Sequence, residues 1–276
     1  MPLTTKTKYI CSISDPSVDL CGVMYNAMID ALGADAAYLV TRCENAAQGI
    51  AAAKALNLSG FSCSMPHKQA IMEKLDAINP DAKAIGAVNT VVLDDEQWVG
   101  YNTDSPGAVN AILEQTELKG KKVLLIGAGG AARAVAYGVS KAGATLCITN
   151  RTLAKAQTLA DEMGATALPI SCLQGDNPFD IVINSSSVGF NDSESSPVPA
   201  DFIGPNQWAF DLVFALLETK FLADAKANGG GAIYGHRMFL HQAILQLELW
   251  TGKTLETEKL EDLEELMKEY LKENGF

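Results

Sequence analysis

One apolar run in the middle of the chain constrains the fold most. Val123–Ile126 contains no polar residue, which is typical of a strand buried on both faces of a parallel sheet. We predict that a helix through Ser140 and a second strand at Thr145–Thr149 follow it. The first strand and the helix are joined by the turn Gly127-Ala128-Gly129-Gly130-Ala131-Ala132. This order of strand, glycine turn, helix and strand predicts a Rossmann-type unit that binds a dinucleotide.

The residues of the glycine turn suit a diphosphate group. Gly127 permits the tight turn, Gly129 lets the backbone approach the ligand, and Ala132 allows close packing of helix on strand. Free N–H groups at the start of the helix can donate hydrogen bonds to phosphate oxygens. The predicted cofactor-binding residues of the turn are Gly127, Ala128, Gly129, Gly130 and Ala131.

The residues after the second strand select between NAD and NADP. NAD sites usually place Asp or Glu there to bind the ribose 2′-hydroxyl, but this chain has Asn150-Arg151-Thr152, with Lys155 one turn later. An arginine can bind a 2′-phosphate through parallel charge-assisted hydrogen bonds, and Asn150 and Thr152 add neutral donors. These four residues therefore predict NADP. The alternative is that Arg151 is a solvated surface charge.

The chain length and the alternation of predicted elements indicate two domains. A chain of 276 residues fits two domains of ordinary size better than one large core. We expect two α/β domains: an open-sheet substrate domain of residues 1–105 with 238–276, and a Rossmann-type NADP-binding domain of residues 106–237. Outside the glycine-turn unit, strands are predicted at Lys8–Ile13, Ala36–Val40, Phe61–Ser64, Asn89–Leu93, Trp98–Tyr101, Ile181–Asn184 and Trp208–Val213, and helices at Val23–Leu32, Ala46–Leu56, Lys68–Leu75, Met238–Trp250 and Leu260–Leu271.

Charge and composition exclude several classes of partner. The formal net charge of −12 argues against a nucleic-acid partner, which needs a basic face. No apolar stretch reaches the roughly 20 residues of a membrane span, and the polar N-terminus lacks the apolar core of a signal peptide, so we expect a cytoplasmic protein without membrane contact. The six cysteines include no C-x-x-C pair, and the histidines lack helical ligand spacing, so no metal is expected. A monomer or homodimer is the expected state.

Three polar segments in the first third each follow or end a predicted strand. Ligands of open α/β sheets collect at the edge where the strands end, so we expect these segments to share one rim of the sheet. The segments are Ser62-Cys63-Ser64-Met65-Pro66-His67-Lys68, Gly86-Ala87-Val88-Asn89-Thr90 and Gly100-Tyr101-Asn102-Thr103-Asp104.

Taken together with the glycine turn, these segments resemble the shikimate dehydrogenase family. The family's motifs occur here in the family's order as Ser-x-Pro-x-Lys, Gly-Ala-Val-Asn-Thr, Asn-Thr-Asp, Gly-Ala-Gly-Gly-Ala-Ala-Arg and Asn-Arg-Thr. Asp211-Leu212-Val213 with Glu218-Thr219, and Gly235-x-x-Met238-x-x-x-Gln242, are similar to two further family segments. The resemblance extends from about Ser12 to Gln242, nearly the whole chain.

The resemblance implies a reaction, the reversible NADP-linked oxidation of shikimate, a cyclic hydroxy acid, to 3-dehydroshikimate. Lys68 and Asp104 match the family's catalytic pair. Oxidation of an alcohol requires a proton to leave the oxygen as hydride leaves the carbon, and a lysine held by a carboxylate can accept or relay that proton. Which of the two residues is the formal base stays open.

The resemblance also implies binding residues. Asn89 and Gln242 match the family's ligands for substrate hydroxyls, while Ser64 replaces the usual threonine and Ser62 replaces an asparagine. Each of these side chains could instead cap a local turn. The resemblance further implies cofactor contacts at Ser186, Val213 and Gly235.

The chain departs from the family where the substrate carboxylate binds. The family's Ser-x-Ser-Pro signature, whose serines bind that carboxylate, is absent before Asn26. The candidates to replace it are Ser12, Ser14 and Ser17, with His236 and Arg237 as further candidates.

A second departure lies at Phe214, where the family commonly has tyrosine. A site that lacks a buried hydrogen-bonding partner loses about 1–3 kcal/mol for each partner lost. Two alternatives to shikimate oxidation therefore stay open: a dehydrogenase of quinate or a related cyclic hydroxy acid, and a catalytically weak NADP-binding regulatory homologue.

Overall fold

The computed structural model describes residues 3–14, 19–190, 192, 194–256 and 259–275. These residues form two compact units. The first unit comprises Met1–Thr103 with Gln242–Tyr270, and the second comprises Asp104–His241 with Leu271–Phe276.

The first unit is an α/β sheet with helices on both faces. Its strands are β1 (Lys8–Ile13), β2 (Ala36–Leu39), β3 (Gly60–Cys63), β4 (Ala77–Ile78), β5 (Thr90–Asp94) and β6 (Gln97–Tyr101). Its helices are α1 (Asp19–Ala31), α2 (Ala46–Ala55) and α3 (Pro80–Ile85), together with most of two C-terminal helices, α8 (Gly235–Thr251) and α9 (Lys259–Glu273).

The sheet of this unit has the order β2-β1-β3-β5-β6-β4. β1 pairs in parallel with β2 and β3, whereas β5 is antiparallel to both β3 and β6. The start of β5 therefore lies beside the end of β3, with Thr90 opposite Ser62. Asp95 and Glu96, both at positive φ, turn the β5–β6 hairpin without a glycine.

Apolar side chains cover both faces of this sheet. Ile13, Phe61 and Val91 pack with α2 in one buried cluster. On α8, Trp250 donates a hydrogen bond from its indole Nε1 to the Val91 carbonyl (2.9 Å) and packs against Tyr25 of α1, with ring centroids 5.9 Å apart. Helices α1 and α8 therefore pack together beside the middle of the sheet.

The second unit contains six strands and their crossover helices. The strands are β7 (Lys122–Ile126), β8 (Thr145–Thr149), β9 (Thr166–Leu168), β10 (Ile181–Asn184), β11 (Trp208–Asp211) and β12 (Gly231–Ile233). The helices wholly within this unit are α4 (Asp104–Leu113), α5 (Gly130–Lys141), α6 (Leu153–Met163) and α7 (Lys220–Ala227).

All strands of the second unit are parallel, in the order β12-β11-β10-β7-β8-β9. β7 lies in the middle, with Val123 and Leu125 in one buried cluster and Leu124 and Ile126 in another. Apolar residues on both faces explain why the predicted strand reads as a continuous apolar run. The predicted Rossmann-type arrangement is confirmed.

One predicted helix was wrong in its start and its type. The sequence indicated a helix over Lys68–Leu75, but the chain forms a turn up to Gln69 and then a short 3-10 helix at Ala70–Lys74. The Lys68 carbonyl accepts a hydrogen bond from Val88 N (2.8 Å) rather than from a residue one helical turn later. Pairing with the neighbouring segment therefore replaces the helical hydrogen bond at Lys68.

In the described part of the chain, no helix is both long enough and apolar enough to cross a membrane. Over the same residues, no group of three or more His, Cys, Asp and Glu side chains is arranged to hold a metal ion.

Candidate functional site

Asn89 is the central residue of a buried polar cluster in the first unit. It lies just before β5, is 2% exposed, and donates both amide hydrogens: to Thr103 Oγ1 (2.9 Å) and to Gln242 Oε1 (3.1 Å). Its Oδ1 accepts hydrogen bonds from the Thr90 hydroxyl (2.7 Å) and from Thr103 N (2.8 Å). The structure therefore brings two of the predicted substrate ligands, Asn89 and Gln242, into direct contact.

The cluster continues through two residues that the motifs did not single out, Tyr25 and Gln246. Gln242 donates from Nε2 to the Tyr25 hydroxyl (3.2 Å), and that hydroxyl donates to Gln246 Oε1. Gln246 Nε2 then donates to Thr90 Oγ1 (2.7 Å) and to the Asn89 carbonyl (3.0 Å). Tyr25, Thr90 and Gln246 are almost fully buried, whereas Gln242 is partly exposed.

The two predicted serines of the first polar segment lie at the end of β3. The Ser62 hydroxyl is 2.5 Å from the Tyr38 hydroxyl, and Tyr38 stacks on Tyr25 with ring centroids 4.2 Å apart. Ser64 is exposed, and its N–H donates to the Ile13 carbonyl (3.0 Å). Ser62 therefore adjoins the Asn89 cluster through two stacked tyrosines, and Ser64 lies in the turn that follows.

Lys68 is anchored to the same cluster through its backbone. Its carbonyl accepts from Val88 N (2.8 Å), one residue before Asn89. The turn that carries Lys68 is fixed by His67, whose Nε2 lies 2.9 Å from the Cys43 carbonyl and whose ring is 3% exposed. The Lys68 side chain is half-buried.

Asp104 is the first residue of α4 and directly follows Thr103, whose backbone N–H and hydroxyl both contact Asn89. Asp104 is 5% exposed. A carboxylate in the first turn of a helix is favoured there by the helix dipole. The backbone next to Asp104 is therefore held by the Asn89 cluster.

The candidate carboxylate-binding serines lie at the end of β1. The Ser12 hydroxyl accepts from Thr41 N (2.8 Å) and donates to the Thr41 carbonyl (3.1 Å), so it joins β1 to the chain after β2. Ser14 is 5% exposed and forms an isolated parallel bridge with Arg42. Ser17 lies outside the described residues. The role of these serines stays a prediction, and the Ser12 hydroxyl already has two backbone partners.

In the second unit, Gly127 and Gly129 of the predicted turn lie in different surroundings. Gly127 has φ of +122°, and a Cβ there would lie 2.5 Å from Ser185 Oγ and 3.1 Å from the Ser185 backbone. Gly129 has φ of −89°, and nothing lies within 4 Å of an added Cβ. The protein itself therefore requires glycine at 127, whereas at 129 the space beside the backbone is open.

The other turn residues lead into α5. Gly129 is its N-cap, and the helix begins at Gly130 and Ala131. Ala128 is partly exposed, while Ala132 is fully buried in the cluster that includes Val135. A 12-residue helix whose first N–H groups follow an exposed glycine provides the donors that a diphosphate needs.

The residues predicted to bind a 2′-phosphate lie between β8 and α6. Asn150 is partly exposed and donates from Nδ2 to the Thr152 carbonyl (3.0 Å), which stabilises the turn. Arg151, Thr152 and Lys155 are exposed, and Thr152 is the N-cap of α6. The structure therefore places two cations and a helix start in one short segment after the second strand.

A buried carboxylate lies at the ends of β10 and β11. Asp211 is fully buried and accepts from Thr219 Oγ1 (2.8 Å), Asn184 Nδ2 (3.0 Å) and Val213 N (3.1 Å). Burial raises the pKa of Asp211 to about 6, although these three hydrogen bonds lower it. The predicted cofactor residue Ser186 joins the same network, because its hydroxyl donates to Asn184 Oδ1 (2.6 Å).

The start of α8 packs directly onto the end of β11. Gly235 is the first residue of this helix, and a Cβ there would overlap the carbonyl oxygen of Val213 and lie 2.7 Å from that of Asp211. Backbone atoms cannot give way as a flexible side chain can. Gly235 therefore serves a packing need next to the predicted cofactor residue Val213.

The chain departs from the family pattern at Phe214, and His236 and Arg237 were further candidates to bind the substrate carboxylate. Each of these three residues has a partner within the second unit. Phe214 stacks on Phe239, with ring centroids 5.0 Å apart and an interplanar angle of 8°. Arg237 donates from Nε to Glu114 Oε2 (2.8 Å), and burial, which would raise the pKa of Glu114, is outweighed by hydrogen bonds from Arg237 and His241 that lower it. His236 is 3% exposed and stacks on a tyrosine.

Sequence reasoning missed Tyr25 and Gln246. Gln246 could have been found, because it lies four residues after Gln242 in a predicted helix and so shares its face. Tyr25 gave no such signal, since its hydrogen-bond partner Gln246 lies 221 residues away along the chain.

Family models match three parts of the chain. Residues 19–91 match the shikimate dehydrogenase substrate binding domain, residues 109–189 match shikimate / quinate 5-dehydrogenase, and residues 235–262 match the shikimate 5′-dehydrogenase C-terminal domain. The first match contains Lys68 and Asn89, the second contains the glycine turn, and the third contains Gln242 and Gln246.

Individual proteins agree with these matches. A shikimate dehydrogenase (NADP(+)) of Shouchella clausii is 38% identical over 84% of this chain and 88% of the relative. A shikimate 5-dehydrogenase of Thermus thermophilus, crystallised with NADP(H) and shikimate, is 32% identical with a TM-score of 0.86, covering 95% of this chain and 100% of that one. The ligand-free 5-ketofructose reductase of Gluconobacter sp. is 33% identical with a TM-score of 0.84 over the same shares. From the motifs, the fold and these relatives together, the chain belongs to the shikimate dehydrogenase family.

Proposed function

We propose that this chain catalyses the reversible NADP-linked oxidation of shikimate to 3-dehydroshikimate, with Lys68 and Asp104 as the catalytic pair. One observation carries the proposal. The backbone links both residues to the Asn89 cluster. The Lys68 carbonyl accepts a hydrogen bond from Val88 N, one residue before Asn89, and Asp104 directly follows Thr103, whose N–H donates to Asn89. The related Thermus enzyme was crystallised with NADP(H) and shikimate.

The chemistry that this arrangement supports is a coupled loss of hydride and proton. NADP+, when bound, supplies the acceptor for the hydride that leaves the carbinol carbon. Lys68 and Asp104 would accept the proton of the hydroxyl as the carbonyl forms, a contribution typically worth about 10²–10⁴ in rate. Gln242, partly exposed beside Asn89, would bind a substrate oxygen and orient the ring.

The second unit carries the features that NADP requires. Open space beside the Gly129 backbone and the exposed start of α5 fit a diphosphate. Exposed Arg151 and Lys155 supply positive charge where a 2′-phosphate would lie, and no carboxylate is present in the segment 150–155 to repel it. These residues favour NADP over NAD.

We further propose that the protein is cytoplasmic, acts as a monomer or homodimer, and has no nucleic-acid partner, in keeping with its formal net charge of −12.

The experiment that tests the function is a substrate panel followed through the absorbance of the reduced nicotinamide. Shikimate and quinate are assayed with NADP+ and NAD+, and 5-ketofructose with NADPH. We expect the highest kcat/KM for shikimate with NADP+. We expect Lys68→Met to lower kcat about 10³-fold, while the control Lys74→Met, an exposed lysine in the nearby 3-10 helix, leaves kcat unchanged.

Other results would identify the alternatives. A higher kcat/KM for quinate or for 5-ketofructose would assign a different substrate to the same site. Binding of NADP+ without turnover of any panel member would indicate a regulatory homologue. Unchanged turnover in Lys68→Met would contradict the proposed catalytic pair.

A further inference from the structure

Five side chains of the first unit form a closed hydrogen-bonded ring, which we call the amide ring. Each member donates to the next: Asn89 Nδ2 to Gln242, Gln242 Nε2 to Tyr25, Tyr25 OH to Gln246, Gln246 Nε2 to Thr90, and Thr90 Oγ1 to Asn89. The ring joins α1, α8 and the start of β5. The four links other than that between Tyr25 and Gln246 measure 2.7–3.2 Å, the range of ordinary hydrogen bonds.

A ring of this kind fixes the orientation of each primary amide within it. An amide presents a carbonyl oxygen on one side and an NH₂ group on the other, whereas the hydroxyls of Tyr25 and Thr90 can donate or accept. Backbone groups fix two of the amides, because Thr103 N donates to Asn89 Oδ1 and the Asn89 carbonyl accepts from Gln246 Nε2. Gln242 is fixed in turn, since its oxygen must face the NH₂ group of Asn89. In a buried setting each lost pairing is costly. The amides of Asn89, Gln242 and Gln246 are therefore locked in one sense.

The fixed orientation of the three amides determines which of their hydrogen-bonding atoms remain available to a ligand. Both amide hydrogens of Asn89 are donated within the protein, to Thr103 and Gln242. Gln242 Oε1 accepts from Asn89, and Gln242 Nε2 uses one hydrogen on Tyr25. Its second amide hydrogen has no acceptor among the hydrogen bonds of the described residues, and Gln242 is the one partly exposed member of the ring.

We propose that the amide ring is a positioning device, in which Tyr25, Gln246 and Thr90 hold Gln242 with an N–H directed to a substrate oxygen. In this role Gln242 is a donor, and it selects a hydroxyl or carbonyl oxygen that can accept. Asn89 supports this orientation by donating to Gln242 Oε1. The inference rests on the proposed function, because it concerns how the same site binds its hydroxy acid.

Loss of a positioning ring and loss of a purely structural contact should change different kinetic and stability parameters. A positioning role affects the binding of substrate in ground state and transition state alike, so it raises KM and leaves kcat nearly unchanged. A general loosening of the unit would also change kcat and lower the melting temperature. The split between KM and kcat therefore separates the two roles.

The first test is Tyr25→Phe, which removes the acceptor for Gln242 and the donor to Gln246 while keeping the aromatic ring that stacks on Tyr38. We expect the KM for shikimate to rise about tenfold, the equivalent of one hydrogen bond, with kcat changed less than about threefold and the KM for NADP+ unchanged. The matched control is Tyr9→Phe, which deletes the hydroxyl of a partly buried residue of β1 that donates a long hydrogen bond to the Thr4 carbonyl (3.4 Å); it should change none of these values.

The second test is Gln246→Glu, which can restore the ring by protonation. A protonated carboxyl offers one carbonyl acceptor and one O–H donor, which is enough for the bond to Thr90 that closes the ring but not for the additional bond to the Asn89 carbonyl, whereas the carboxylate offers no donor to either. The described hydrogen-bond partners of Gln246 are the Tyr25 phenol, the Thr90 hydroxyl and the Asn89 backbone carbonyl, and none of these is a cation that would favour the carboxylate. We expect the shikimate KM of this variant, relative to wild type at each pH, to approach the wild-type value as pH falls.

The outcomes distinguish failure of the positioning role of the ring from failure of the proposed function. If wild type turns over shikimate but Tyr25→Phe leaves its KM unchanged, or lowers kcat as much as kcat/KM, the positioning role is overturned while the function stands. A KM of Gln246→Glu that does not depend on pH would also count against the ring. If wild type turns over no member of the substrate panel, the proposed function fails and the substrate role of the ring fails with it.

Discussion

Two buried polar networks in the described part of the chain are built from different chemistry. The amide ring of the first unit consists of neutral amides and hydroxyls. The network of the second unit, which we call the carboxylate network, is centred on Asp211 and its donors Asn184, Thr219 and Val213 N. Both networks join a strand to elements distant in sequence, and the carboxylate network contains a group whose pKa is raised by burial to about 6. We therefore expect the carboxylate network to make the more strongly pH-dependent contribution to stability.

The direction of that dependence follows from the pKa of Asp211. Burial raises it from 3.8 to about 6 in the folded protein. The folded state therefore binds the proton more tightly than the unfolded state, so its contribution to stability is fully present below the unfolded pKa and is lost as pH rises through about 6. A shift of this size corresponds to about 3 kcal/mol in total.

The largest expected effect compares one substitution in each network. Thr219→Val removes a donor to Asp211 (2.8 Å), and Thr90→Val removes the hydroxyl that links Gln246 to Asn89. We expect each to lower the free energy of unfolding by about 2 kcal/mol at about pH 8. At about pH 5 the loss in Thr219→Val should fall to about 1 kcal/mol, because a neutral carboxyl accepts a weaker hydrogen bond, while the loss in Thr90→Val should not change.

Urea unfolding of wild type and both variants at the two pH values measures this contrast. A pH-dependent loss in Thr90→Val, or an equal loss at both pH values in Thr219→Val, would remove the distinction between the networks.

A smaller effect is expected when Asp211 itself is made neutral. Asn can keep the hydrogen bonds from Asn184 and Val213 through its oxygen and can donate to the Thr219 hydroxyl. We expect the stability of wild type relative to Asp211→Asn to fall by about 1.5 kcal/mol between about pH 5 and about pH 8, the part of the shift that lies in this window. Chemical unfolding across this range measures it, and a difference that is constant with pH would show that Asp211 keeps its ordinary pKa.

Much of the fold could be predicted from the sequence because its strands are local apolar runs. Strands at Lys8–Ile13, Thr145–Thr149 and Ile181–Asn184 were predicted with the bounds that the structure has. Trp208–Val213 was predicted too long, since β11 ends at Asp211, whose carboxylate binds Val213 N. A side-chain hydrogen bond of this kind leaves no periodic signal.

The candidate site could be predicted only in part, for a similar reason. Motifs indicated Asn89, Gln242 and the glycine turn, because those residues recur in a recognisable pattern. The amide ring depends on pairings between residues more than 150 positions apart, such as Gln246 with Thr90 and Gln242 with Tyr25. Local spacing cannot show which helix face will meet which strand.

The smallest expected effect on stability concerns Gly129, and it extends the comparison to the glycine turn. A Cβ at position 127 would clash with Ser185, and φ there is positive. Gly129 has a negative φ, and the space beside it is open. Gly129→Ala should therefore change the free energy of unfolding by less than about 0.5 kcal/mol, while Gly127→Ala should be clearly destabilising. If the open space is where a diphosphate approaches the backbone, Gly129→Ala should still raise the KM for NADP+ about tenfold and leave the KM for shikimate unchanged. Unfolding and kinetic measurements on the two variants test this, and an unchanged KM for NADP+ in Gly129→Ala would place the diphosphate elsewhere. Glycine at 127 would then be required by packing within the protein, whereas glycine at 129 would be required by the bound ligand.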